Sequence, residues 1–367
     1  MRVGDDGPMK VLVTGHDGFI GTVLLPLLRA AGHEMVGLDT YLFHDCLWGS
    51  ERDGEVEAIA KDVRDVVAAD LEGFDAVIHL AAVSNDPVGN LDPACTHEIN
   101  HRASVRLAQV AKQVGVPRFL FSSSCSLYGA AGDRFLDETA PFNPVTAYGH
   151  SKVLAERDIE ALADDSFSPT FLRNATVYGA SPRFRSDLVV NNLAALAYTT
   201  GEIKLMSDGT PWRPLIHVED VARAFLGVLS APRDLVHAQA FNIGSTAENY
   251  RVREIAEIVQ EAIPGSAVVF ASGAGPDRRT YKVSFEKFAR SLPDSKPTRT
   301  VREGVRELRV FFERSSITAQ DALGPRGQRI EHVRHLMALG RLEPSLRWKT
   351  ADSRATGRNG RNRPSDR

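Results

Sequence analysis

An apolar pentapeptide, Lys10-Val11-Leu12-Val13-Thr14, runs directly into Gly15-His16-Asp17-Gly18-Phe19-Ile20-Gly21, and a helix-length apolar segment occupies residues 19–31. A buried strand that passes through a glycine-rich turn straight into a helix leaves the chain few folds. The glycines let backbone come close to a pyrophosphate, and the helix N-terminus behind them offers unpaired N–H groups to its charge. The loop therefore predicts a dinucleotide site, with Gly15, Asp17, Gly18, Phe19, Ile20 and Gly21 against the ligand.

The same rhythm recurs downstream. Short apolar runs at 34–38, 75–80, 118–122 and 169–173 predict strands, and helical spacing at 97–114 and 148–162 predicts the helices between them. Parallel βαβ units with right-handed crossovers make an open, doubly wound Rossmann sheet of the α/β class, which takes ligands at the carboxyl ends of its strands. Beyond Val177 the rhythm changes. Helices are expected at 187–199 and 218–229, short strands at 202–205 and 240–243, a Gly/Pro/Ser-rich stretch at 264–297, and amphipathic helices at 301–312 and 330–339. The expected organisation is a flexible lead (1–8), a cofactor lobe (9–176 with 214–245), a smaller mixed α/β substrate lobe (177–213 with 246–350) and a disordered basic tail (351–367).

Asp39 ends the second predicted strand, 18 residues past Gly21, where a carboxylate accepts both ribose hydroxyls of adenosine. It repels a 2′-phosphate, and no arginine follows within 40–45, so the expected cofactor is NAD rather than NADP. Asp62 and Val63 follow the third strand and are expected at the adenine. Leu80, Ala81 and Ala82 end the fourth with small residues that let the dinucleotide lie close.

Two segments carry chemistry. The strand at 118–122 ends in Ser123-Ser124-Cys125-Ser126-Leu127-Tyr128-Gly129, and Tyr148-Gly149-His150-Ser151-Lys152 opens a helix. The i,i+4 spacing sets Tyr148 and Lys152 on one helix face. An adjacent ammonium and a positive nicotinamide both favour tyrosinate.

Together Gly15/Gly18/Gly21, Asp39, the Ser-rich strand end and the Tyr148/Lys152 pair resemble the extended short-chain dehydrogenase/reductase family, in its nucleotide-sugar epimerase/dehydratase branch. The likeness covers roughly residues 9–289 and continues at 189–193, 209–222 and 241–244. It implies that Ser124 and Tyr148 hydrogen-bond the reacting sugar hydroxyl, and that Lys152 binds the nicotinamide ribose and lowers the Tyr148 pKa. It places Asn100 beside the cofactor, Ser84, Cys125 and Ser126 near the sugar, and Asn192, Arg213 and Arg279 on the substrate's nucleotide diphosphate. Thr176 stands where relatives usually carry a substrate-binding Asn. Sugar 4,6-dehydratases of the branch follow the catalytic Ser/Thr with an Asp-Glu pair; here those positions are Cys125 and Ser126, which points to an epimerase acting at C4. An NAD(P)H-dependent keto-sugar reductase using the same residues is the first alternative, and a sugar-nucleotide dehydratase the second. The resemblance also implies a homodimer.

Composition limits the other classes. No apolar run approaches the roughly 18 residues of a membrane-spanning helix. Three cysteines without a CxxC pair predict a reduced, cytoplasmic setting. The net charge of −3 hides five arginines at 351–367, a tail expected to be solvated, and nothing in the body suggests a nucleic-acid groove. His97-Glu98-Ile99-Asn100-His101 fits HExxH, but no further ligand follows nearby and no metal is expected.

Overall fold

Along the first strand, Val11 and Val13 point to one face and Leu12 to the other, and all three are wholly buried. A strand covered on both sides belongs in the middle of a parallel sheet. The computed structural model describes residues 7–49, 56–275 and 279–349; most of the expected flexible lead and the basic tail lie outside the described residues. Seven strands form the main sheet: β1 (Lys10–Thr14), β2 (Glu34–Asp39), β3 (Glu57–Ala60), β4 (Ala76–His79), β5 (Arg118–Ser124), β6 (Ser168–Asn174) and β7 (Gln239–Ile243). Their order is β7-β6-β5-β4-β1-β2-β3 and every pairing is parallel. The order reverses between β1 and β4, which opens a crevice at their carboxyl ends.

One face of the sheet packs on α1 (Gly21–Ala30), through Leu24, Leu25 and Leu28, and the other on α2 (Ala103–Gln113) and α3 (Ala147–Glu160), through Leu107, Ala108, Ala111, Ala155 and Ile159. The helix expected at 97–114 is broken: Pro93–His97 gives way to a π-turn at Glu98–Arg102 before α2 begins. A second lobe gathers α4 (Val189–Thr200) beside a three-stranded sheet that includes Trp212–His217. The chain then returns through α5 (Val218–Leu229), which covers the α1 face, before completing that lobe with α6 (Val252–Ala262) and α7 (Val301–Ser315).

Two segments carry structure to which the sequence reading assigned no element. Helix α6 is one, where Val252, Ile255, Ala256, Ile258 and Val259 recur at helical spacing and are buried. The Gly/Pro/Ser-rich stretch is the other, with strands Ala267–Gly275 and Thr280–Val283 and the helix Glu286–Ser291. Finally α8 (Arg329–Ala338) and the segment to residue 349, expected in the substrate lobe, cross back to the cofactor lobe. Ile330, Val333, Leu336, Leu342 and Leu346 pack with Val88 and Cys95. The Trp348 indole donates to the Thr40 carbonyl at 2.7 Å, and Arg347 pairs with Asp65 at 2.6 Å.

Candidate active site

The turn after β1 is shaped by what surrounds it. Gly15 adopts φ +73°, and a Cβ there would lie 2.7 Å from the Ala81 nitrogen, so only glycine lets the β1 and β4 loops touch. At Gly21 a Cβ would meet the His16 carbonyl oxygen at 2.5 Å. Gly18, Phe19 and Ile20 form the floor of the crevice at the head of α1. Among the described residues the Phe19 and Ile20 amides take no backbone acceptor, which leaves them for an anion.

Asp39, Asp62, Val63, Leu80, Ala81, Ala82 and Ser84 all line the same cavity as Gly15, Gly18, Phe19, Ile20 and Gly21. The Asp39 carboxylate accepts the Asp17 and Tyr41 amides at 3.2 and 2.8 Å. Burial raises its pKa, with the neighbouring Asp17 charge adding to the effect. Asp62 is held by Arg64 in a two-pronged ion pair and caps the turn at Val63–Asp65. Ser84 accepts from Arg185, whose guanidinium also pairs with Asp187 at 2.9 Å. Glycine loop, ribose-facing carboxylate and small residues thus fit a dinucleotide.

At the other end of the cavity stand Ser124, Ser126, Tyr148, Lys152 and Thr176, with Ser122 and Asn174. Thr146 caps α3 by accepting the Gly149 amide, which sets Tyr148 on the first turn under the Ser124 hydroxyl, its hydrogen-bond partner. Ser124 in turn donates to Ser126 at 3.1 Å. Lys152 reaches the same cavity. Its ammonium donates to the Ser122 carbonyl at 2.6 Å and lies 4.5 Å from the centre of the Phe121 ring, against 5.8 Å for Tyr148. Burial lowers its pKa to about 7, and burial raises Tyr148 to about 12, with Ser124 and Arg185 only partly opposing the rise. In the protein alone the phenol therefore stays protonated, because burial outweighs the groups that favour its charged form.

Several expected contacts turn elsewhere. The Asp17 carboxylate is taken by Arg183 at 2.6 Å and His44 at 3.0 Å, outside the cavity wall. Asn100, wholly buried in the π-turn, sits one layer behind the wall: it exchanges hydrogen bonds with both backbone groups of Val83 and donates to Ser151. It braces the loop after β4 rather than lining the site. Cys125 faces the core, its thiol donating to the Arg173 carbonyl at 3.1 Å and pushed well above its ordinary pKa by burial. Asn192 spends its amide on the Ser186 carbonyl one turn inside α4, and it is Leu188, the residue capping that helix, that reaches the cavity. Arg213 and Arg279 lie outside the wall, joined through the Arg279 carbonyl, with Arg279 paired to Asp86 at 2.7 Å. Residues 276–278 beside them lie outside the described residues. In the HExxH segment, His101 is 2.7 Å from Asp158.

The cavity also holds residues that sequence reasoning missed: Arg64, Arg185, Leu188, Arg329 and Leu346. Behind the strand end, a buried relay links the Ala81 amide, the Thr14 hydroxyl, His79, Ser104 and the Asn100 carbonyl. Burial and the Lys152 charge lower the His79 pKa to about 3, so the ring stays neutral.

Residues 11–244 match the family model described as the NAD dependent epimerase/dehydratase family. A UDP-glucose 4-epimerase of Mycolicibacterium smegmatis is 29% identical over 326 residues, covering 84% of this chain and all of that one. UDP-glucuronic acid decarboxylase 1 of Arabidopsis thaliana is 25% identical over 86% of this chain and 72% of its own. Among solved structures, MoeE5 in complex with UDP-glucose and NAD superposes with a TM-score of 0.71 at 29% identity, over 84% of this chain and all of that one. A family match spanning most of the chain and a crevice built for a dinucleotide agree: this is an enzyme of the NAD-dependent epimerase/dehydratase family, with NAD as its cofactor.

Proposed function

We propose that the enzyme is a nucleotide-sugar epimerase that oxidises a sugar hydroxyl, at C4, to a transient ketone, re-reduces it from the other face, and keeps its NAD throughout. The observation that carries this reading is what flanks the Tyr148–Ser124 pair. Around it the cavity offers hydroxyls and amides: Ser122, Ser126, Asn174 and Thr176. Among the described residues the cavity's carboxylates are Asp39 and Asp62, which stand across β1 at the adenosine end. Asp86 acts on the phenol from outside the wall and is committed to Arg279. Loss of water from a keto sugar needs a further positioned acid–base pair; oxidation and re-reduction at one carbon does not.

In this reading Tyr148 takes the proton of the sugar hydroxyl and returns it, while Ser124 holds the same oxygen. NAD, when bound, supplies the hydride acceptor and a positive ring that favours the phenolate. Lys152 binds the nicotinamide ribose in this reading, and its bond to the Ser122 carbonyl at the edge of the cavity supports that role. Asn174 has its side-chain oxygen buried without a partner among the described residues, and it takes over the sugar contact that relatives make from the position of Thr176. A nucleoside diphosphate sugar is the substrate class, with UDP-glucose and UDP-galactose the first pair to try. A homodimer through α2 and α3 and a cytoplasmic setting belong to the same proposal, and light scattering tests the former.

The test is turnover of purified protein with no added dinucleotide, followed by NMR of the sugar anomeric protons. An epimerase interconverts the C4 epimers under these conditions. Product formed only with stoichiometric consumption of added NAD(P)H identifies a reductase and overturns the proposal.

A further inference from the structure

The C-terminal segment brings to the cofactor crevice a guanidinium that no carboxylate pairs directly among the described residues. Arg329 is the first residue of α8, far beyond Gly244 where the family match ends. Its side chain is 3% exposed and lines the same cavity as the glycine loop. One guanidinium nitrogen donates to the Arg183 carbonyl at 2.8 Å, and the plane lies 4.6 Å from the centre of the Phe43 ring. The other terminal nitrogen is buried with no hydrogen-bond partner among the described residues.

The surroundings sharpen the imbalance. Two further arginines crowd the site, and each already has its carboxylate: Arg183 holds Asp17 and Arg185 holds Asp187. The nearby Cys46 thiol is pushed up to about 11 by burial and is neutral. Burial, with the Arg185 and Arg183 charges adding to it and Cys46 and Asp187 only partly opposing it, brings Arg329 down to about 10, so it is still charged at neutral pH. A buried guanidinium without a counter-ion is costly unless an anion joins it.

In the same cavity the head of α1 presents its free amides. A helix N-terminus contributes about half a positive charge, whereas a dinucleotide's diphosphate carries two negative ones. We propose that Arg329 is the cationic anchor of the NAD diphosphate, adding its charge to the amides of the glycine loop, so that the C-terminal segment completes the cofactor site. The geometry favours the diphosphate over a 2′-phosphate because Asp39 occupies the ribose end. This inference rests on NAD as cofactor and is independent of the reaction proposed above.

Full-length Arg329→Gln and Arg329→Lys, stripped of cofactor, are compared with the parent protein by calorimetric titration with NAD, ADP, adenosine and UDP. Losing a charge-assisted contact to phosphate lowers affinity roughly 10- to 100-fold. Arg329→Gln is expected to lose that factor for NAD and ADP, to bind adenosine as before, and to recover partly as Arg329→Lys. Unchanged NAD and ADP affinity overturns the proposal. So does an equal loss for adenosine, which would mean that the segment had merely come away, and so does a loss confined to UDP, which would assign Arg329 to the substrate. Thermal melts of the same proteins separate these results from misfolding. A stripped Arg329→Gln that melts no lower than the parent keeps the binding comparison valid. If it unfolds, Arg329→Lys decides: weaker NAD and ADP binding with adenosine unchanged supports the anchor, and parental affinity for all three overturns it.

Discussion

Replacing Lys152 with methionine is expected to make the cofactor-free protein more stable. Lys152 is 3% exposed, and burial brings its pKa from 10.5 to about 7. At about 1.36 kcal/mol per pH unit, the folded state holds that proton less tightly by about 5 kcal/mol. At pH 7, where the site is about half protonated, the penalty is about 4 kcal/mol. Methionine removes the charge and keeps an apolar stem, but forfeits the 2.6 Å bond to the Ser122 carbonyl, worth about 1.5–3 kcal/mol for a charged donor. The net gain at pH 7 is about 1–2.5 kcal/mol. The sign of the pH dependence follows from the lowered pKa: between 7 and 10.5 the unfolded chain binds more protons than the folded one, so stability rises with pH there. From pH 7 to 9 the wild-type penalty shrinks by about 2 kcal/mol, and the gap to Lys152→Met closes by that amount. Urea melts at pH 7, 8 and 9, followed by the fluorescence of Trp48, Trp212 and Trp348, read both quantities. Glu156, the group that opposes the shift, stays paired with Arg173 in both proteins. A gap that does not change with pH, or a variant less stable than the parent at pH 7, refutes the reasoning.

Tyr148→Phe is expected to lower turnover by about two to four orders of magnitude with NAD content unchanged, as read by cofactor release from denatured protein; retained activity contradicts the phenol's role. Cys125→Ala should leave turnover near wild type, because its thiol faces the core and bonds the Arg173 carbonyl. A hundredfold fall without unfolding would place sulfur at the substrate. Glu156→Gln strands the Arg173 guanidinium, paired at 2.7 Å and buried, and should destabilise the fold by about 3–5 kcal/mol. A loss below about 1 kcal/mol in the same urea melts would show that the pair contributes little.

The legible part of this protein is its strand–turn–helix units. β1 with its glycine loop, Asp39 at the end of β2, Ser124 at the end of β5 and Tyr148 at the head of α3 each sit where a local pattern ends, so their places in the fold could be read along the chain, while the roles of Ser124 and Tyr148 came from the family resemblance. Hydrophobic rhythm likewise foretold six of the seven sheet strands to within a residue or two. The exceptions have physical causes. β3 is short and half-buried, with little apolar signal. Cys125 neighbours Ser124 in the chain, but leaving the strand for a 3-10 turn rotates it to the core. Asn100 is drawn behind the wall by a π-turn that no periodicity announces.

The chain's own order of residues determined the parallel sheet, the dinucleotide turn and the hydroxyl and phenol at the crevice, because each is built from neighbours within one βα unit. Only the tertiary structure decided which side chains reach the cavity and in what charge state. Arg185 and Arg329 arrive from segments far along the chain, Asp17 is claimed by Arg183, and the proton affinities of Lys152 and Tyr148 are set by burial. Desolvation comes into being only when the lobes and the C-terminal segment close around a group, so no local pattern can carry it.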